Sequence, residues 1–139
     1  MIKRLLCFVL MLTATVSFSQ INPFTESIYK APTPSKLIKT TNAKYFSVDL
    51  NKLETYLQDA PYREENDIRQ SSLIISLPFP DGSFKSFKVL RNKTLSVGLN
   101  TQFPEIRTYD ALGIDDPTDR VKLDITPQGF HAMIRGPHH

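Results

Sequence analysis

FPEIRTYDALGIDDPTDRVKLDITPQGFHAMIRGP, residues 103–137, is the stretch whose reading decides the fold. Its second half alternates with a period of two, as a strand with one buried face does. Val121, Leu123 and Ile125 fall on one side of residues 120–126, Lys122 and Asp124 on the other. Thr126-Pro127-Gln128-Gly129 reads as a type II turn with Pro at its second position. Residues 130–135 return, with Phe130, Ala132 and Ile134 on one face and His131, Met133 and Arg135 on the other. Upstream, residues 105–109 read as a strand, and residues 110–118 as a loop holding Gly113, Asp115, Asp116 and Pro117. Downstream, Gly-Pro-His-His offers nothing that terminates a domain, so the chain is expected to be cut at its C-terminal end.

Working outward, residues 71–90 form a second hairpin. Leu73, Ile75, Leu77 and Phe79 alternate, Pro80-Asp81-Gly82-Ser83 turns, and residues 84–90 return. Pro78 and Pro80 have no N–H to give a ladder, which predicts a sheet edge there. Before it, residues 62–70 carry Arg63, Glu64, Glu65, Asp67 and Arg69 and read as a solvated connector. Residues 45–50 predict a short strand with Phe46, Val48 and Leu50 on one face. A helix follows, with Asn51 as cap, Glu54 completing a capping-box pair, and Leu50, Leu53 and Leu57 as its apolar stripe. Ala60-Pro61 ends it. Residues 95–99 fit a strand or a helical turn equally well. The expected fold class is mainly β (α+β): a small antiparallel sheet or sandwich of hairpins with one short helix.

The first nineteen residues have the layout of a secretory signal peptide. Lys3 and Arg4 precede an apolar run at residues 5–16, and Ser17 and Ser19 offer a cleavage site before Gln20. Removing residues 1–19 leaves 120 of the 139 residues. It takes two of the 17 basic residues, so 15 face 14 acidic ones, a balance of +1. No basic run with interleaved aromatics remains to read nucleic acid. Cys7 leaves with the leader, so no disulfide, thiolate metal site or cysteine nucleophile is available. The expected organisation is a signal peptide at 1–19, an extended or disordered lead at 20–43 and one β domain at 44–137. The expected localisation is secreted or periplasmic, with membrane contact only during export. Phe24 and Tyr29 are the lead's aromatics; the expected reading of the segment is a solvated tether, with a latch onto a partner surface as the alternative.

No reaction centre is legible. His131 needs an orienting carboxylate, which Asp124 on the facing strand offers, and also a nucleophile or a metal. No Ser elbow, Gly-rich phosphate loop or HExxH is present. Asp115 and Asp116 lack the spaced ligand set of a calcium loop. His138 and His139 together with His131 would be a further metal combination.

These motifs resemble the N-terminal propeptide region of secreted bacterial reprolysin-like zinc metallopeptidases. The resemblance rests on Phe103-Pro104-Glu105-Ile106-Arg107-Thr108-Tyr109, Gly113-Ile114-Asp115-Asp116-Pro117 and Thr126-Pro127-Gln128-Gly129-Phe130-His131-Ala132-Met133. It extends back through Leu77-Pro78-Phe79-Pro80-Asp81-Gly82-Ser83-Phe84 and Leu57-Gln58-Asp59-Ala60-Pro61. It implies a prodomain that assists folding of a metallopeptidase catalytic domain, in cis or in trans, and covers its cleft. The catalytic site and its zinc would belong to that missing domain, so this chain would hold no cofactor and no catalytic residue. Without a cysteine, a latency ligand would come from Asp115, Asp116 or His131, whose oxygens and imidazole nitrogens bind zinc. The rival reading is a free-standing secreted binding or protease-inhibitor module.

Overall fold

The computed structural model describes residues 22–28, 44–95 and 97–137. The leader at 1–19, Tyr29, His138 and His139 lie outside them. In chain order the elements are β1 (Phe24–Glu26), β2 (Phe46–Val48), α1 (Leu50–Leu57), a 3-10 turn (Ile68–Gln70), β3 (Ile74–Pro78), β4 (Phe84–Asn92), α2 (Val97–Gln102), β5 (Arg107–Gly113), β6 (Arg120–Thr126) and β7 (Gly129–Arg135). Strands β3 to β7 form an antiparallel meander in sequence order, and β1 and β2 pair as a separate ribbon. The protein is therefore a small, mainly β α+β fold.

One sheet face carries the core. Ile75 sits opposite Phe87, Val89 opposite Ala111, and Tyr109 opposite Leu123, so the alternating residues of neighbouring strands meet in rows. Helix α1 belongs to the same core through Leu53 and Leu57, both fully buried. Eight residues are too few for an isolated helix. Burying each leucine contributes roughly 1.5–3 kcal/mol and supplies what helix propensity does not. The Tyr56 hydroxyl ties α1 to the edge of the sheet by donating to the Ile74 carbonyl at 2.7 Å.

Several expectations are corrected. The cap of α1 is Asp49, whose carboxylate accepts from the Lys52 amide at 3.0 Å, and not Asn51, which lies inside the helix. Strand β2 stops at Val48 because that cap starts the helix at Leu50. Within the lead, Phe24–Glu26 is a strand paired with β2, and Phe24 is buried against Phe130 with ring centroids 5.6 Å apart. Its aromatic ring latches onto this chain's own core. Strand β5 runs on through Asp110–Gly113, where a loop is expected, because Ala111 continues the core face and Leu112 is buried on the opposite one, so the segment is covered on both sides. The turn before β7 is not type II. Gln128 would need positive φ for that, and among the described residues only Gly82 and Gly129 have it.

Residues 95–99, left open by periodicity, contribute to α2, and Phe103 donates to the Leu99 carbonyl at 2.8 Å. The edge position expected from Pro78 and Pro80 is found: β3 is the first strand of the meander, and Pro78 pairs with Phe84 beside the turn.

Tyr109 is 1% exposed, and its hydroxyl has no hydrogen-bond partner among the described residues. Burial pushes its phenol above the ordinary value, against the opposing pull of Arg91 and Arg107. The unfolded chain ionises near pH 10. The stability gained from the neutral phenol is therefore complete below about pH 10 and is lost as pH rises through the higher folded value. Tyr109→Phe is expected to leave stability at pH 7 unchanged or raise it by about 1 kcal/mol. It should also flatten the alkaline loss, as read by urea unfolding at pH 7 and above pH 10.

Candidate functional site

The outward face of the sheet is built from the alternate residues of β4 to β7. Register sets three rows across β5, β6 and β7: Thr108, Asp124 and His131; Asp110, Lys122 and Met133; Leu112, Arg120 and Arg135. The connector at 62–70 lies over part of this face. Arg63 pairs with Asp110, Tyr62 bridges to Arg91, and the 3-10 turn contacts β4 and β5. The connector rests on the sheet through Tyr62, Arg63 and Ile68, while residues 63–67, Arg69 and Gln70 stay exposed, as expected of a solvated connector.

His131 and Asp124 meet as the alternation predicted, with Nδ1 2.9 Å from Oδ2. The carboxylate can orient the imidazole. No hydroxyl is hydrogen-bonded to the ring among the described residues, so the pair lacks the partner that would make it a nucleophile-activating set. Both side chains are open to solvent, and an exposed pair of this kind contributes at most about 1 kcal/mol.

Asp115 and Asp116 lie in the loop that joins β5 to β6. Asp116 is tied down locally: its Oδ1 accepts from the Thr118 amide at 2.9 Å and the Thr118 hydroxyl at 2.6 Å. The Gly113 amide donates to the Asp119 carbonyl at 2.9 Å, and Lys85 reaches the buried Asp119 carboxylate at 3.1 Å. Asp115 remains exposed. This loop begins after Gly113, whereas His131 shares a row with Thr108, five residues back along β5. That places the loop about 17 Å from His131 along the strand direction. The three zinc candidates therefore do not assemble into one site. Among the described residues no three His, Cys, Asp or Glu side chains come together as a metal-holding group. The combination of His131 with His138 and His139 lies outside the described residues. Each candidate is available only as a single donor to a metal held elsewhere.

The structure adds residues that the chemical reading of the sequence passed over. Asp110 is 6% exposed and receives Arg63, Lys122 and the Asn92 amide, the last at 3.2 Å. Arg120 and Arg135 face each other directly across β6 and β7. The second feature was recoverable: counting outward from the Thr126/Gly129 turn closes that register. The first was not, because Arg63 is 47 residues from Asp110.

Strand β7 is the last of the sheet and pairs on one side only, with β6, along all seven of its residues. Its outer edge is unpaired among the described residues. Met133, 59% exposed, projects from the same strand onto the outward face. Such an edge is a template for another extended segment.

No family model, curated protein or solved structure matches the chain.

Proposed function

We propose that the chain is the exported N-terminal prodomain of a zinc metallopeptidase precursor, an intramolecular inhibitor and folding aid with no catalytic machinery of its own. The observation that carries this reading is the open outer edge of β7. Partners that bind extended peptides do so by main-chain pairing along a strand, with side-chain pockets at alternate residues. A seven-residue edge offers that geometry to an enzyme cleft. The choice of enzyme class rests on the resemblance of residues 103–137 to reprolysin-like propeptides. Export rests on the leader at 1–19. Among the described residues no helix is long and apolar enough to cross a membrane.

The second reading, a free-standing secreted binding or inhibitor module, is favoured by the closed core. Helix α1, β1 and the sheet bury one another with no added chain.

The test adds the full chain in trans to the mature catalytic domain of its own precursor and follows peptide hydrolysis and refolding yield. Inhibition with a raised refolding yield is expected. No effect on either at large excess overturns the prodomain reading. A latency contact to the enzyme's zinc would come from one donor. Asp115→Ala, Asp116→Ala and His131→Ala are to be assayed singly, and weaker inhibition is expected at the donor that reaches the metal. Unchanged inhibition in all three removes that contact and leaves strand docking alone.

A further inference from the structure

We infer that the cleft between the connector at 62–70 and the outward face of β6 and β7 is a docking site for an extended, glutamate- or aspartate-rich polypeptide segment. The inference stands independently of the prodomain reading, since it needs side chains on the sheet's outward face and not main-chain pairing at the β7 edge. The cleft encloses about 660 Å³. Arg63, Arg120, Lys122 and Arg135 supply its charge, and Leu90 and Met133 are among its apolar lining. The only carboxylates lining it are Asp67 and Asp110, so the lining carries an excess of two positive charges.

That excess is localised. Lys122 and Arg63 are both committed to Asp110. Arg120 and Arg135 are not: among the described residues neither has an ion-pair partner. They are also direct cross-strand neighbours on the same face. Like charges in that position oppose strand pairing. The arrangement therefore works against the fold and becomes favourable once an outside carboxylate lies between the two guanidinium groups, which bind carboxylates through two parallel hydrogen bonds. Lys122 stands two residues further along β6, about 7 Å from Arg120, the repeat of alternate side chains in an extended peptide. A second acidic side chain of such a peptide would reach Lys122 only in competition with Asp110, so the two arginines carry the selectivity.

The lining favours a peptide over a nucleic acid. Single-stranded nucleic acids are held by aromatic rings that stack on the bases, and no aromatic residue lines this cleft. Leu90 and Met133, on the same face as the charges, suit a peptide whose acidic side chains alternate with small uncharged ones.

The test uses the full chain and a fluorescent peptide of alternating Glu and Thr, with its Gln-for-Glu counterpart and an oligothymidylate as competitors. The acidic peptide is expected to bind at least tenfold more tightly than the Gln peptide, and to be released by salt. Arg120→Ala with Arg135→Ala should weaken it at least tenfold. Arg135→Glu, which sets an opposite charge across from Arg120, should remove binding and raise the melting temperature. That combination separates a binding role from a structural one and does not depend on the double variant folding. Equal binding of the Gln peptide, retained binding by R135E, or tighter binding of oligothymidylate would each overturn the inference, the last in favour of a nucleic-acid surface.

Discussion

Phe87→Ala is expected to cost about 3–5 kcal/mol of stability, enough to leave much of the chain unfolded at 37 °C. Phe87 is fully buried at the centre of the core face. It lies opposite Ile75 on one side and Gly113 on the other, and its ring stacks on Phe79 at 6.3 Å between centroids. Truncation would leave a cavity flanked by two β-strands whose hydrogen-bonded ladders resist collapse. A domain of this size has roughly 5–15 kcal/mol in total, so the loss is a large share. Urea unfolding followed by circular dichroism checks it. Phe87→Leu, which retains most of the volume, should cost much less, and equal losses in the two variants would contradict the cavity account.

Gly113→Ala is expected to be nearly as damaging, for the opposite reason. A Cβ at Gly113 would come within 2.3 Å of the Asp116 carbonyl oxygen and 3.1 Å of the Asp119 Cβ. The first is backbone, so the obstruction cannot be relieved by turning a side chain. Overpacking of this kind costs typically 1–3 kcal/mol, and the upper end, about 3 kcal/mol, applies here. The strain would fall on the turn that contains Asp115 and Asp116 and would pull Asp119 away from Lys85. Native-state hydrogen exchange should show faster exchange at the Gly113 and Asp119 amides, which close that loop. Unchanged exchange and stability would mean that the loop has room to spare.

These two residues mark what local patterning does and does not reveal. Phe87 and its partners were legible, because period-two alternation names the buried face of each strand and the Asp81-Gly82 turn sets the hairpin. The β6–β7 hairpin was legible for the same reason, including the His131–Asp124 pair. Gly113 was legible only as a loop residue. Its role as the last residue of β5, pressed under its own following turn, depends on a backbone approach that no periodicity encodes. The burial of Phe24 was hidden by the prolines and polar residues around it, since a three-residue strand leaves too short a pattern to see. The charged composition of the connector at 62–70 correctly marks it as solvent-facing, but it does not reveal that Arg63 pairs with Asp110, a partner distant in sequence. Asp110 itself was assigned to a loop, and with it went the charge centre of the outward face.

The functional account has two surfaces, the open edge of β7 and the basic cleft behind it, on a fold that brings no catalytic set together among its described residues. Both suit a protein whose work is to hold another polypeptide. The central proposal is that the β7 edge serves a zinc peptidase encoded in the same frame, and one measurement addresses it most directly: sequencing the transcript beyond the codon for His139. The account predicts an open frame that runs into a helix carrying HExxHxxGxxH. A stop codon directly after His139, or a long frame without that motif, would contradict it.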